Sequence, residues 1–317
     1  MHAEQTPSKN TNISMRIPSS VEEAVSLITG GWIPLAGGTD IVPRISWNLL
    51  PSANLMAIGS LPGLRGIRKN GDMLTIGAMT PLNVIAEHPV TPHWLKNAVE
   101  QTATRVIRHQ ATLGGNLLQG RRCRYYNRPA HWRAVAGNCR RTGGSTCFAG
   151  HAGPGCVAAL RSSISAVLIA SDTTVTIRTP YEEEIIDLYS LYSRSPLVGD
   201  LHPKGLITAV HIPLGNYAET IEYSTLTRRT SLDFPEIAVA VNHRHTHRTG
   251  AQTIIVMTAP LSRPSRYVLS DPSHDRLDDI TEWINSSIPH ATTGLYGPEY
   301  LRNAARTMVF RILDPSQ

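Results

Sequence analysis

The sequence predicts an α/β or α+β protein of two or three domains, and three observations point there. A chain of 317 residues is long enough for several separate cores. Hydrophobic residues make up 41% and charged residues 17%, a globular rather than a disordered balance. Only 6% are aromatic, whereas 24 glycines and 22 prolines demand many turns between short elements.

Met1 to Ser14 is polar, with no apolar stretch and no paired arginines. An unstructured tail over residues 1–15 without an export signal is expected, in a cytoplasmic protein. Ser20 and Glu23 form a capping-box pattern ahead of Val21, Ala24, Val25 and Ile28, which predicts a short amphipathic helix. Trp32–Ala36 reads as a strand running into Gly37-Gly38-Thr39-Asp40. Two glycines allow close backbone approach to a ligand, and successive amides can form an anion-binding nest. Thr39 and Asp40 add a hydroxyl and a carboxylate, or cap the next element. Alone, the tetrapeptide reads first as an ordinary turn.

Short strands are expected at Asn54–Ile58, Leu64–Arg68 and Met73–Ala78, the last two joined by the Asn70-Gly71 hairpin signal. Thr80-Pro81 predicts a helix cap and first-turn proline for Val84, Ile85 and Ala86. A single helix over Trp94–Arg108 then delivers the chain to a second glycine loop, Ala111-Thr112-Leu113-Gly114-Gly115-Asn116. Neither loop is a G-x-G-x-x-G fingerprint or a Walker loop, so a Rossmann fold and a P-loop are disfavoured. Beyond residue 156, Val157–Ala170 reads as a helix, Thr173–Arg178 and Ile185–Leu188 as strands, and Leu206–Ile212 as a strand ending at Pro213. Val157–Ala170 is the most apolar run, but Arg161 and serines interrupt it, so no membrane span is expected.

A composition shift near Gly215–Glu219 suggests a boundary, giving a large domain over 16–217 (parts 16–55 and 56–217) and a smaller one over 218–317. Strands at Tyr223–Arg229, Ile237–Asn242 and Thr253–Ala259 precede helices at His274–Ser286 and Pro298–Leu313, the latter with Leu301, Ala304, Ala305, Met308, Val309 and Ile312 at helical spacing. His243-x-His245-x-His247 would share one strand face, but interleaved arginines and the adjoining turn read as a solvated strand end. No internal repeat or coiled coil is present.

The most unusual stretch is Arg121–Cys156. It holds all four cysteines, Cys123, Cys139, Cys147 and Cys156, and no Asp or Glu occurs anywhere from Gln101 to Ser171, which carries ten arginines. The rest of the chain, with 20 basic and 24 acidic residues, is net negative, so this segment makes the protein basic. Arginine suits forked contacts to an anion. Wide cysteine spacing lacks the C-x2-4-C knuckle of zinc fingers and fits four thiolates wrapped around a cubane. Four-cysteine zinc, disulfides or free thiols, and a nucleic-acid patch built from the arginines with Tyr125, Tyr126 and Trp132 remain open readings.

Ala36-Gly37-Gly38-Thr39-Asp40 and Ala111-Thr112-Leu113-Gly114-Gly115-Asn116 resemble the two FAD pyrophosphate motifs of flavoprotein subunits in the molybdenum hydroxylase (xanthine dehydrogenase and CO dehydrogenase) superfamily. Arg122-Cys123-Arg124-Tyr125-Tyr126-Asn127, Trp132-Arg133 and the three later cysteines resemble the branch of 4-hydroxybenzoyl-CoA reductase β subunits, in which such an insert carries a 4Fe-4S cluster. The likeness extends through Arg229-x3-Asp233-Phe234-Pro235 and Pro298-Glu299-Tyr300-Leu301-Arg302. It implies an α+β fold of the vanillyl-alcohol oxidase and CO dehydrogenase flavoprotein type, with two subdomains, a 4Fe-4S insert over 120–157, and a C-terminal domain.

By the same resemblance, Ala36, Gly37, Gly38, Thr39 and Asp40 hold FAD with Ala111, Thr112, Gly114, Gly115 and Asn116, and Cys123, Cys139, Cys147 and Cys156 hold the cluster. The subunit transfers electrons and has no substrate-converting residue of its own. Implied partners are a molybdopterin-binding large subunit and a 2Fe-2S small subunit in a dimer of heterotrimers, with ferredoxin or another carrier outside, and neither membrane nor nucleic acid. The implied reaction is reductive aromatic dehydroxylation; aldehyde, purine or N-heterocycle hydroxylation is the alternative. Two positions depart from the family pattern: Ser163 stands where an acidic residue is common, and Thr225 follows Tyr223-Ser224 where lysine is common.

Overall fold

The structure, a computed structural model, describes residues 12–50, 52–194, 205–215, 221–229, 233–246, 250–270, 277–291 and 293–314. The chain opens with β1 (Asn12–Arg16), α1 (Val21–Thr29), β2 (Ile33–Leu35), α2 (Ile41–Ser46) and β3 (Ser52–Ala57). These strands form a parallel sheet in the order β1-β3-β2. β1 corrects the expected tail: residues 12–15 pair with Ser52–Leu55, while 1–11 lie outside the described residues. Ser20 Oγ accepts the Glu23 amide at 3.2 Å, and the Glu23 carboxylate reaches back to Ser19 rather than Ser20. This fixes the start of α1, whose Ala24 and Val25 pack in a core with Met56.

Next come β4 (Ile67–Asn70), β5 (Met73–Gly77), α3 (Leu82–Glu87), α4 (His93–Glu100), α5 (Arg105–Gln110), α6 (Leu113–Leu117), α7 (Ala130–Ala136), α8 (Ile164–Ala170), β6 (Thr174–Arg178), β7 (Glu183–Asp187), α9 (Leu188–Arg194) and β8 (Leu206–Pro213). Their five strands form an antiparallel sheet in the order β4-β5-β8-β6-β7. The Asn70-Gly71 signal closes the β4–β5 hairpin, with Asn70 opposite Met73 and Gly71 at φ +55°.

Four expectations are corrected here. The helix foreseen over Trp94–Arg108 is two helices, α4 and α5, broken at Ala103 (φ +57°). Thr104 Oγ1 caps the new start, and Arg108 donates to the carbonyls of Glu100 and Ala103 that the break leaves without helical partners. Leu64 does not begin a strand; its carbonyl accepts the Met79 amide at 2.7 Å and its side chain is buried. Thr80 does not cap α3, because its hydroxyl bonds the backbone of Gly66. Residues 157–163 are not helical: Ala159 exchanges backbone bonds with Arg122, and Leu160 donates to Leu261. Only from Ile164 does α8 run, and all seven of its residues are buried. Sequestering each of Ile164, Val167, Leu168 and Ile169 contributes ~1.5–3 kcal/mol.

The remaining elements are β9 (Ile221–Leu226), β10 (Ile237–Thr246), β11 (Gly250–Met257), β12 (Ser265–Leu269), α10 (Leu277–Ser287) and α11 (Pro298–Leu313). The strands form an antiparallel sheet in the order β12-β11-β10-β9. Alternation divides its faces. Ile237, Val239 and Val241 pack with α10 and α11, whereas Ala240, Ile254 and Val256 join the core that contains α8. In the histidine triplet, His243 Nδ1 bonds Thr253 Oγ1 at 3.1 Å and the intervening Arg244 is buried against Asp172; His247 lies outside the described residues.

Candidate functional site

The turn between β2 and α2 is the first glycine loop. Gly38 has φ +73°, which an L side chain rarely adopts, and a Cβ on Gly37 would stand 1.7 Å from the Gln110 carbonyl oxygen. The first loop therefore rests directly on the last residue of α5, where the second loop begins. Thr112 caps α6, its Oγ1 accepting the Gly115 amide at 3.2 Å. The Gly114 amide donates to Ala78 at 2.8 Å, and a Cβ there would meet Ala78 Cβ at 2.9 Å. The Leu113 amide donates to Thr80. These second-loop amides thus hold the loop against the end of β5, and the glycines serve close packing rather than an open nest.

Asp40 does not cap α2 with its side chain. Its carboxylate accepts the Gly120 amide at 3.1 Å, is paired with Arg122, and lies 3.6 Å from Arg44. Asn116 Oδ1 accepts from the buried Ser162 hydroxyl at 2.8 Å. The structure brings all ten loop residues named from the sequence (Ala36, Gly37, Gly38, Thr39, Asp40, Ala111, Thr112, Gly114, Gly115 and Asn116) to the wall of one cleft of about 440 Å³. That volume falls in the ordinary range of ligand sites.

Sequence reasoning missed much of the rest of that wall. The α4–α5 break supplies Gln101 to Thr104, and Asp233-Phe234-Pro235, in the segment just before β10, completes the wall. Arg161 is buried at the same wall, donating to the Pro235 carbonyl and lying 3.7 Å from Glu236. Burial pushes its pKa down while Glu236 opposes the shift. Ser163 Oγ is 2.9 Å from Thr102 Oγ1, and Thr225 donates to Gln101 at 3.0 Å, so both positions that depart from the family pattern are tied to the α4–α5 break. Burial also pushes the Tyr223 phenol pKa up.

The four cysteines line a second, much smaller cavity with Tyr125, Phe148 and their neighbours, and no two of them are bonded to each other. Burial first, then the nearby Cys156 and Cys147, push the Cys123 thiol up. Among the described residues no group of three or more His, Cys, Asp or Glu, the four cysteines included, is arranged to hold a metal ion. The arginines of this segment are largely engaged within the chain. Arg140 donates to the carbonyls of Ser145 and His151, and Arg133 to that of Asn48. Arg141 donates to the Arg121 carbonyl and covers the Tyr126 ring at 4.1 Å. The expectation that they chiefly meet a bound anion is corrected accordingly: many satisfy carbonyls of irregular backbone that no regular ladder serves.

Three sheets around a cleft walled by two glycine loops define an α+β fold of the kind found in CO dehydrogenase. One chain of the reconstituted CO dehydrogenase from Oligotropha carboxidovorans superposes with a TM-score of 0.70 over 95% of this chain and 96% of that one, at 20% identity. A chain of quinoline 2-oxidoreductase from Pseudomonas putida 86 gives 0.67 over 95% of each, at 15% identity. Residues 11–215 match the FAD binding domain in molybdopterin dehydrogenase, and the chain belongs to that family. The carbon monoxide dehydrogenase medium chain of Hydrogenophaga pseudoflava is 33% identical over 111 residues, 32% of this chain and 38% of that protein. The 6-hydroxypseudooxynicotine dehydrogenase complex subunit alpha of Paenarthrobacter nicotinovorans is 25% identical over 219 residues, 67% of this chain and 61% of that protein. The alignments thus span less than two thirds of either relative's length. The FAD-binding fold expected from the resemblance is the one observed.

Proposed function

We propose that this chain is the FAD-carrying, electron-transferring subunit of a molybdenum-dependent oxidoreductase, and that Cys123, Cys139, Cys147 and Cys156 hold a 4Fe-4S cluster. The observation that carries the reading is the convergence of both glycine loops on one cleft, in a chain whose family binds FAD. At Gly37 and Gly114 a side chain would collide with Gln110 and Ala78, so the two glycines let the loops pack tightly enough to share one wall of the cleft. Gly37, Gly38, Thr39 and Asp40 with Thr112, Gly114, Gly115 and Asn116 would hold the pyrophosphate. Arg122 and Arg161 bring positive charge to the same wall. Bound FAD supplies one- and two-electron chemistry; the chain's residues bind it, orient it and surround it with apolar wall.

For the cluster, support comes from the donor set: four cysteines, none bonded to another, line one cavity. Arginines already engaged with carbonyls and Asp40 make a nucleic-acid patch the weaker reading. In the fuller proposal, a molybdopterin large subunit and a 2Fe-2S small subunit complete a cytoplasmic dimer of heterotrimers. The C-terminal 218–317 region would be a domain with its own sheet, packed on 16–217 through the core that Ala240, Ile254 and Val256 share with α8. Electrons enter from ferredoxin or a similar carrier for reductive dehydroxylation of an aromatic CoA thioester, as the cysteine insert suggests. A second reading, oxidative hydroxylation with electrons flowing outward, is favoured by the names of a nicotine 6-hydroxylase medium subunit, 30% identical over 108 residues, and of quinoline 2-oxidoreductase. No described helix is long and apolar enough to cross a membrane.

Anaerobic purification tests the cofactors. The expected protein is brown, with flavin bands, about four irons per chain and no stoichiometric zinc. Cys139→Ser should lose iron while keeping flavin. Colourless protein with one zinc refutes the cluster; protein that takes up no flavin refutes the cleft.

A further inference from the structure

The two sites meet at one carboxylate. Asp40 ends the first glycine loop and lines the cleft, with its side chain only 17% exposed. It grips the segment leading to the cysteines twice, at the Gly120 amide and at the Arg122 guanidinium. Arg122 lines the same cleft and lies over the Phe234 ring at 5.4 Å. Its backbone N–H and C=O both bond Ala159 at 2.8 Å. Cys123 is the next residue in one direction, and Cys156 lies just before Ala159 in the other. Both necks of the cysteine excursion therefore hang from the residue that holds the glycine loop. Gln101–Ser171 holds no Asp or Glu of its own, and the carboxylate paired with Arg122 is that of Asp40.

We propose that Asp40 and Arg122 couple the two cofactor sites: filling the cysteine cavity raises the chain's affinity for FAD, and filling the cleft raises iron retention by the same factor. The inference rests on the proposed occupancy of both sites. Ligation by Cys123 fixes the backbone of Arg122, and a shielded ion pair with a forked guanidinium tolerates little displacement. The neck thus transmits order to the Gly37–Asp40 loop, and linkage makes the effect reciprocal. Asp40 and Arg122 act as positioning residues for both cofactors.

The test uses the full chain, purified anaerobically with its iron and again after chelation under reducing conditions. FAD dissociation constants are read from flavin fluorescence, with iron quantified in each sample. Iron removal should weaken FAD binding in the wild type by about tenfold, inside the usual range for coupled sites. In Arg122→Gln the ratio of the two constants should fall towards one, whatever the direct change in FAD affinity. Arg122→Lys, which keeps the charge, should restore part of it; a merely structural role would not move this ratio. Iron loss to chelator, measured with and without FAD, should give the same factors. If Arg122→Gln does not fold, the ratio in Asp40→Asn decides. Equal wild-type constants with both cofactors bound, or a full ratio in the variants, overturn the coupling alone. A wild-type chain that binds no iron or no FAD overturns the functional reading and the coupling with it.

Discussion

Substituting Gly37 with alanine probes the junction of the two glycine loops directly. The new Cβ would lie 1.7 Å from the Gln110 carbonyl oxygen and 2.6 Å from its carbon, both backbone atoms with no rotamer to escape into. Contacts under 3.0 Å are essentially never made by a real Cβ, so the first loop and the end of α5 must part by more than an ångström. Overpacking of this kind costs ~1–3 kcal/mol. If FAD binding forces the loops back together, the cost falls on affinity, a weakening of about 5- to 150-fold; if the apo fold already carries it, the melting temperature falls instead. Isothermal titration with FAD and thermal melts of the apo and FAD-saturated protein divide the two. Gly63→Ala is the control, since its positive φ strains a side chain but nothing stands within 4 Å. A Gly37→Ala protein with wild-type FAD affinity and wild-type melting would refute the described loop contact.

Three further substitutions test the packing around the cleft and sheets. Glu236→Ala leaves buried Arg161 without its carboxylate and should cost about 3 kcal/mol, read as a lower urea midpoint at unchanged m. Tyr192→Phe removes the donor to the Leu117 carbonyl, a 2.9 Å bond in a fully buried place, and should cost ~1–2 kcal/mol in the same assay. His211 stands between Thr75 and Thr176, near Glu183, and burial holds its pKa below 6.5. The unfolded chain takes up that proton first, so stability should be full above about pH 7 and decline as pH falls through 6. His211→Gln should flatten the melting temperature between pH 7.5 and 5.5; an unchanged slope would contradict this.

Elements governed by local physics are legible in the sequence. α11 can be read to its ends, because Pro298 opens it and Leu301, Ala305, Val309 and Ile312 recur on one face. The β4–β5 hairpin is legible in Asn70-Gly71, and both glycine loops in their glycines. The break at Ala103 is not, since no glycine or proline marks it and its loose carbonyls are satisfied by Arg108 from further along the chain. β12 escapes notice as a short edge strand with a weak alternation, and β1 as part of a polar segment. In the cleft, Arg161 and Asp233–Pro235 meet the loops only through tertiary contacts, which spacing cannot reveal. Cysteine spacing likewise yields four candidate ligands, but not their meeting in one cavity.

The paired bonds between Arg122 and Ala159 have an evolutionary meaning. Residues that exchange both backbone bonds across an antiparallel bridge hold their Cα atoms only about 5.5 Å apart, a gap that a two-residue turn spans. The whole excursion between them could be excised or acquired as a cassette without shifting the register of any strand. If the cysteines hold the proposed cluster, one insertion at this bridge would suffice to add it to the fold, and one deletion to remove it.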